Sequence, residues 1–254
     1  MMTKTLPNFN VTSHHAFDLP NGETIKFRPF THAEEKVAQR INQLGTNRDQ
    51  LETMVKIARD CTFGDVDIEA LTTSEYQMLM INIRAQAVGD TTDISIACSN
   101  KDCSCRRDIT ANLTEYKYQE KTFEGEHLDV KIPGSPYTIR LTEPKMASVL
   151  KFSASKDDLT KALGPSVVSL FNPDDEDDVF DLLSFKVKDL EAFFGNFTNQ
   201  QYMALLKIAE QFSKLWYDLE ALYEQDSSVC EDCAENGRQG NFPKEARDLS
   251  DFLE

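Results

Sequence analysis

Residues 91–113 read TTDISIACSNKDCSCRRDITANL, and this stretch decides how the middle of the chain folds. Polar and apolar side chains alternate over residues 93–96, and a period of two predicts a half-buried strand. Residues 108–113 have the composition to pair back on that strand. The stretch therefore predicts a β-hairpin whose turn carries three cysteines, namely Cys98, Cys103 and Cys105.

A second group of cysteines lies near the C-terminal end, where Cys230 and Cys233 have Cys-x-x-Cys spacing. This spacing lets two thiolates bind one cation, and two thiolates from a β-turn would complete the four-sulfur site that Zn²⁺ prefers. Because four thiolates leave no open position for water or substrate, such an ion would be structural. The predicted zinc ligands are Cys98, either Cys103 or Cys105, Cys230 and Cys233.

Two other interpretations of the cysteines stay open. They can be unrelated surface and core thiols, or Cys230 and Cys233 can form a redox pair. The redox interpretation is weakened by Glu231 and Asp232, because neighbouring negative charges raise thiol pKa values. The remaining cysteine, Cys61, follows the apolar stripe of a predicted helix and is interpreted as a buried apolar residue.

The N-terminal part of the chain predicts a strand followed by helices. Two of the helices begin at capping boxes, in which Thr31 is followed by Glu34 and Thr72 by Glu75. In a capping box the two side chains each accept a hydrogen bond from a backbone N–H of the other residue. The predicted elements are a strand over 22–30 and helices over 31–44, 48–61 and 72–88.

The C-terminal part predicts mainly helices. Residues 174–178 are five adjacent carboxylates, and their mutual repulsion predicts a solvated loop over 172–178. Apolar residues spaced by three and four predict one long helix over 198–223, which packs on the protein's own core or forms a coiled-coil seam with a second copy. The other predicted elements are strands over 127–132 and 137–141 and helices over 144–152, 157–163 and, in two pieces, 179–194.

These patterns predict an α+β fold that is mostly helical, with a small antiparallel β region and a zinc-ribbon-like cysteine site. With 254 residues, of which 40% are hydrophobic, the chain is long enough to bury a substantial core. We expect three regions: a strand and helices over 1–90, β-hairpins with the cysteine turn over 91–142, and helices with the second cysteine pair over 143–254.

Composition argues against several classes of function. Lysine and arginine number 27 and aspartate and glutamate 43, and a net charge of −16 is unfavourable for binding a phosphate backbone. The chain has neither a run of apolar residues long enough to span a bilayer nor a secretory signal at its start, so we expect no membrane partner and a cytoplasmic protein. None of the 4 histidines lies in a catalytic motif, and no glycine-rich phosphate loop is present. We therefore expect no enzyme and no small-molecule substrate.

The N-terminal part of the chain resembles the baseplate hub family of T-even-like, contractile-tailed bacteriophages. The resemblance covers roughly the first 110 residues and depends on the order of several short motifs. The first motifs are Leu19, Pro20, Asn21 and Gly22, then the strand residues 25–28 with Pro29 and Phe30, and then Glu34, Glu35 and Lys36. The next is an Ile-Arg-x-x-x-Val-Gly element formed by Ile83, Arg84, Val88 and Gly89, followed by the strand and the cysteine-bearing turn.

The resemblance implies a non-enzymatic hub subunit or hub-assembly factor that contacts other tail or baseplate hub proteins, either in the virion or in the host cytoplasm during assembly. Apolar Leu249, Phe252 and Leu253 at the C-terminus either dock back or meet such a partner. The alternative is a zinc-ribbon adaptor that binds nucleic acid or the transcription machinery. That alternative depends on a basic patch beside the cysteine turn, formed by Lys101, Arg106 and Arg107.

Overall fold

A computed structural model describes residues 14–209, 211–219, 222 and 229–246 of the protein. The strands are β1 (His15–Asp18), β2 (Thr24–Phe27), β3 (Thr91–Ala97), β4 (Arg106–Asn112), β5 (Lys117–Gln119), β6 (His127–Lys131), β7 (Thr138–Thr142), β8 (Val167–Asn172), β9 (Asp175–Asp181), β10 (Lys214–Asp218) and β11 (Glu245–Ala246). The α-helices are α1 (His32–Leu44), α2 (Asn47–Cys61), α3 (Thr73–Val88), α4 (Met146–Phe152), α5 (Asp158–Leu163), α6 (Val187–Phe194), α7 (Asn199–Ala209) and α8 (Glu231–Glu235).

The prediction of a mostly helical fold is wrong. The structure is 39% helix and 26% strand, so strands make up a large part of the regular secondary structure. The strands form four antiparallel sheets, in the orders β1-β2, β3-β4, β11-β10-β5 and β6-β7-β8-β9. Short strands such as β5 and β10 carry little periodicity of their own and form because a partner far along the chain supplies the hydrogen bonds. Helix was therefore overestimated where pairing is long-range.

Predictions based on local sequence signals agree with the described structure. Thr31 with Glu34 and Thr72 with Glu75 form complete capping boxes at the starts of α1 and α3. In the β3–β4 hairpin the strands pair from Thr91 with Asn112 through Ala97 with Arg106. Each signal acts within a few residues, so the distant parts of the fold do not change it.

The predicted long helix over 198–223 is wrong in its second half. The helix α7 ends at Ala209, and β10 begins at Lys214 and pairs with β5 and β11. Along β10 the buried residues are Leu215 and Tyr217, which alternate as in a strand. Aromatic side chains favour strands when a pleated surface is available, and the helical spacing of the apolar residues was fortuitous here. Tyr223, the last residue of the predicted seam, lies outside the described residues, as do Leu249, Phe252 and Leu253.

The predicted acidic loop over 172–178 is only partly correct, because residues 173 and 174 form a turn but the strand β9 already begins at Asp175. Pro173 and Asp174 form a tight turn in which the side chain of Asn172 accepts a hydrogen bond from the N–H of Asp174 at 3.1 Å. From this turn β9 pairs back on β8 as the last strand of its sheet, through Asp175 and then through 179–181, and a bulge leaves residues 176–178 opposite no residue of β8. The carboxylates stay in water, where repulsion between them is screened. The predicted helix over 179–194 is accordingly limited to α6, after a 3₁₀ turn at Leu182–Ser184.

The described residues bury three hydrophobic cores. An N-terminal core packs β2, α2 and α3, and a sheet core packs β6, β7 and β8 against α4 to α7. A third core, here called the cysteine core, contains one face of the β3–β4 hairpin, α3, β10 and residues 230–242. Because α3 gives Leu79 and Ile83 to the N-terminal core and Ile81 and Ala85 to the cysteine core, it is buried on two sides and joins them.

Among the described residues, no helix is both long and apolar enough to cross a membrane.

Candidate metal centre

Four cysteine sulfurs converge at one end of the cysteine core. The Sγ atoms of Cys98 and Cys233 are 3.8 Å apart, and those of Cys103 and Cys230 are also 3.8 Å apart. All four sulfurs lie within 4.8 Å of one another. The sulfurs of Cys98, Cys230 and Cys233 are in buried residues and that of Cys103 is in a half-buried one. The cluster is close enough to hold a metal ion.

The first two cysteines are positioned by the turn of the β3–β4 hairpin. The N–H of Cys98 donates to the carbonyl of Cys105 at 3.0 Å, which extends the strand ladder to the edge of the cluster. Asn100 tightens the turn, because its carbonyl accepts from the N–H of Cys103 and its side chain accepts from the N–H of Asp102, each at 3.0 Å. Hydrogen bonds to Asn100 therefore bend the segment between Cys98 and Cys103 into a compact turn, although four residues separate the two cysteines.

The second two cysteines are positioned by the short helix α8. Cys230 is its N-terminal capping residue, and its carbonyl accepts from the N–H of Ala234 at 3.0 Å. The chain then turns back at Gly237, whose φ of +67° lies in the left-handed region that glycine adopts without strain. The N–H of Arg238 donates to the carbonyl of Cys233 at 2.7 Å, so this knuckle is also closed by its own backbone.

Backbone hydrogen bonds tie the two cysteine pairs to each other. The N–H of Ser99 donates to the carbonyl of Asn241 at 2.9 Å, and the N–H of Asn241 donates to the hydroxyl of Ser99 at 3.1 Å. The amide of Asn100 donates to the carbonyl of Gln239 at 3.0 Å. These hydrogen bonds lie beside the sulfurs and join residues that are far apart in the sequence. Contacts between the thiols are therefore not the only interactions that hold the site together.

Gly240 has no side chain, and two of the sulfurs occupy the space that a side chain would fill. A Cβ atom at this position would lie 2.5 Å from the Sγ of Cys233 and 2.7 Å from that of Cys98, closer than van der Waals contact allows. The carbonyl of Gly240 also accepts from the N–H of Cys230 at 2.9 Å. The sequence did not single out Gly240, because the sulfurs that crowd it come together only in the folded chain.

The electrostatics of the cluster favour a bound cation. The N–H of Cys233 stabilises the thiolate of Cys230 and lowers the pKa of Cys230 to about 7. Burial and hydrogen bonds with the neighbouring thiols raise the pKa of Cys233. The N–H of Asn100 and the thiol of Cys233 lower the pKa of Cys98, but burial and hydrogen bonds with the thiols of Cys230 and Cys103 outweigh them, so this pKa is raised as well. Without a cation the raised pKa values keep Cys98 and Cys233 protonated at neutral pH, and a divalent ion would displace those protons and bind the sulfurs as thiolates.

Cys105 lies beside the cluster rather than in it. Its sulfur groups with Cys103 and the carboxylate of Asp232, whereas the four-sulfur group contains Cys103. A hydrogen bond with the Cys103 thiol, together with burial, raises the pKa of Cys105 to about 12. Of the two alternatives at this position, the geometry therefore places Cys103 with Cys98, Cys230 and Cys233. Cys61 is fully buried in the N-terminal core, away from the cluster.

The donor set fits zinc. Zn–S bonds are about 2.3 Å long, and a regular tetrahedron with that radius has edges of about 3.8 Å, the separation of both close sulfur pairs. Donors that are all sulfur favour a soft or borderline ion over calcium or magnesium, which prefer oxygen.

The basic residues beside the turn make contacts within the protein. Arg106 donates to the hydroxyl and the carbonyl of Ser95 at 3.0 and 2.8 Å. The guanidinium of Arg107 lies over the ring of Phe242, 4.6 Å from its centroid. Arg106 therefore holds the two strands of the hairpin together, and Arg107 links the hairpin to the segment after the second cysteine pair.

Comparison with known proteins gives the family. A family model described as T4 bacteriophage base plate protein matches residues 12–236, which include the hairpin and all four clustered cysteines. No curated protein and no solved structure matches the chain. The match confirms the resemblance to a T4-like baseplate protein and extends it from the N-terminal part to most of the chain. The chain belongs to the family of T4 bacteriophage base plate proteins.

Proposed function

We propose that this baseplate-family chain is a hub subunit or hub-assembly factor of the phage tail, that it acts through contacts with other tail proteins, and that it catalyses no reaction. The observation that carries the proposal is the closed cluster of four cysteine sulfurs within a chain that matches the base plate family. Four thiolates on one ion leave no position for a substrate, so the site would serve folding and not chemistry.

We propose further that the cluster binds one Zn²⁺ through Cys98, Cys103, Cys230 and Cys233. When bound, zinc would neutralise the thiolates and join the hairpin turn to the segment that follows β10. The chain's own residues do the remaining work: Asn100 and Ser99 hold the two cysteine pairs together, and Gly240 keeps the space between them clear. The result would be one rigid cysteine core from parts of the chain that are distant in sequence.

Elemental analysis of the purified protein tests the zinc site. We expect close to one zinc per chain, and we expect the double variant Cys230→Ser, Cys233→Ser to lose it together with thermal stability. Cys61→Ala is the matched control, because it removes a buried thiol outside the cluster and should keep the metal. Cys103→Ser should lower zinc content and Cys105→Ser should not. Metal-free wild-type protein with full stability would refute the site.

The hub role is tested in a phage that carries the gene. Deletion of the coding region should stop tail assembly at the hub, and full-length tails made without the protein would reject this role. Mass spectrometry of purified particles distinguishes the two forms of the proposal. A hub subunit remains in the virion baseplate, whereas an assembly factor acts in the host cytoplasm and is absent from the particle.

We also propose that the protein does not bind nucleic acid. Its net charge of −16 opposes binding to phosphates, and Arg106 and Arg107 are engaged with Ser95 and Phe242. An electrophoretic shift of DNA or RNA that weakens with salt would instead favour the zinc-ribbon adaptor.

A further inference from the structure

The sheet β6-β7-β8-β9 ends differently at its two edges. One row of side chains on its core face runs across all four strands, through Val130, Ile139, Leu170 and Phe180. Their exposed fractions are 6%, 0%, 8% and 41%. The row is therefore buried at the β6 edge and uncovered at the β9 edge, where the hydrophobic core continues to the surface.

Further apolar side chains surround that edge. Val179, Phe180, Leu183 and Phe185, here called the edge patch, are all exposed large apolar residues within seven positions of sequence. They are held in place rather than loose. Leu182 is buried in the sheet core, and Asp181 accepts from the N–H of Leu183 at 3.0 Å, so the 3₁₀ turn directs Leu183 outward. Because neighbouring side chains of a strand point to opposite faces, Val179 lies on the face opposite to Phe180, and the apolar side chains flank the edge on both faces of the sheet. Exposed apolar residues grouped around an edge are typical of interaction sites.

The same edge carries a concentrated negative charge. Six of the eight residues 174–181 are acidic, and none of the six forms an ion pair with any other described residue. Asp178 accepts a hydrogen bond from Tyr137, and the carboxylate raises the pKa of that phenol. A partner with lysine or arginine at this place would neutralise charge that the chain itself leaves uncompensated.

Within the described residues no strand pairs with the outer side of β9. An edge strand has backbone N–H and C=O groups free to accept another strand, and charged residues normally deter that pairing. The ladder of β9 with β8 is regular over 179–181, whereas residues 176–178 bulge out of it and the N–H of Asp177 donates to the carboxylate of Asp175 at 3.2 Å. Strand pairing is therefore available at 179–181, and the bulge contributes its carboxylates. A second copy of this chain would bring two acidic edges together and is therefore disfavoured. A strand with positive charge opposite the carboxylates meets no such obstacle.

We propose that the outer edge of β9 and the edge patch bind an extended segment of another tail protein, with basic residues at one end and aliphatic residues at the other. The basic end would lie along residues 174–178 and the aliphatic end along Val179, Phe180 and the following turn. This inference rests on the proposed function only in assigning the partner to the tail. The charge and apolar pattern of the partner follow from β9 itself.

Binding of synthetic peptides to the full-length protein tests the site. The probes are short peptides with alternating lysine and arginine at one end and alternating valine and isoleucine at the other, made in both chain directions. We expect fluorescence anisotropy to detect binding of one direction, weakened by salt, and hydrogen exchange to become slower in β9. A peptide with glutamate in place of the basic residues is the negative control.

Matched variants locate the contact. Glu176→Lys with Asp177→Lys should weaken binding roughly tenfold, whereas Glu124→Lys with Glu126→Lys, the same charge change near the β6 edge, should not. Val179→Ser with Leu183→Ser should also weaken binding, and Val88→Ser, which is equally exposed on α3, should leave it unchanged. Equal binding of the acidic peptide, protection outside β9, or equal effects of the two charge variants would overturn the proposal. Self-association of the free protein through β9 would replace it with a second copy. None of these outcomes depends on whether the protein is part of the tail.

Discussion

At the cysteine site the chain turns its reactive groups inward, whereas at β9 it exposes apolar and charged groups to water. The four sulfurs come from segments 98–103 and 230–233, and beside them backbone and side-chain hydrogen bonds join residues 99 and 100 to residues 239–241. The β9 edge comes from one continuous piece of chain, and its partner strand β8 is only a turn away. A site assembled from distant segments needs internal reinforcement, while a local hairpin can leave one edge free for another molecule.

Metal removal should separate the two regions most clearly. After zinc is removed by a chelator, we expect amide hydrogens in β3, β4 and residues 229–242 to exchange at least about a hundredfold faster, because the bonds through which the ion joins the two cysteine pairs are lost. The sheet β6-β7-β8-β9 should keep its protection. If amide protection is lost in both regions at the same time, the cysteine core and the sheet unfold as one unit. The metal would then stabilise both regions and not the cysteine core alone.

Substitution of Gly240 should have the next largest effect. Gly240→Ala would place a methyl group against the sulfurs of Cys233 and Cys98, and we expect loss of bound metal and about 3 kcal/mol of destabilisation. Denaturant unfolding and elemental analysis measure the two effects. Gly195→Ala is the comparison, since Gly195 has helical φ and ψ at the end of α6 and a Cβ there would lie 3.1 Å from the carbonyl oxygen of Glu191, a milder contact than the one at Gly240. It should change stability by about 1 kcal/mol or less.

Truncation along the core row should show where the sheet core ends. Leu170→Ala removes a buried side chain and should cost about 3 kcal/mol, whereas Phe180→Ala removes a larger but half-exposed one and should cost about 1 kcal/mol. Urea unfolding of both variants gives the difference. If Phe180→Ala is the more costly, β9 is a closed part of the core and not an open edge.

A partly buried ion pair outside both regions should give the smallest effect. Arg28 and Glu34 are 2.8 Å apart, and the pKa of Glu34 is lowered because the hydrogen bonds from Arg28 and Thr31 outweigh the opposing effect of burial. A carboxyl with a lowered folded-state pKa stabilises the protein above its unfolded pKa of about 4.3 and loses that contribution as pH falls through the folded value.

Glu34→Gln should therefore destabilise the protein by about 1 kcal/mol at neutral pH and by less in acid, while glutamine keeps the capping box. Thermal unfolding as a function of pH measures this. An effect of the same size at every pH would mean that the charge of Glu34 contributes nothing. The destabilisation measured for Glu34→Gln is a reference for the larger losses of stability that we expect at the cysteine site.

The sequence was informative wherever one short segment determines the outcome. Thr31 and Thr72 specify helix starts, and the alternation before Cys98 specifies β3, because capping and strand patterning act over a few residues. The three cysteines at the hairpin turn and the Cys-x-x-Cys spacing of Cys230 and Cys233 were enough to predict one shared metal site. Sequence alone left Cys103 and Cys105 equivalent, because only the fold of the turn decides which sulfur faces Cys230.

Other parts depended on contacts that no local pattern encodes. Leu215 and Tyr217 match a helical stripe as well as a strand, and only pairing with β5 and β11 selects the strand. The carboxylates of 174–178 suggested a loop, although an edge strand satisfies the same need for solvent. The role of Gly240 was invisible for a related reason, since the atoms that crowd it belong to Cys98, which is far away in sequence.

The separation of the two cysteine pairs has a consequence for synthesis on the ribosome. Cys103 and Cys230 are 127 residues apart, so at typical elongation rates about 6 to 25 s pass between their translation. During that interval the hairpin thiols have emerged without their partners and are open to oxidants and to competing metals. The nascent chain can complete its sheet core before its cysteine core. The cysteine core can form only after Cys230 and Cys233 have been translated.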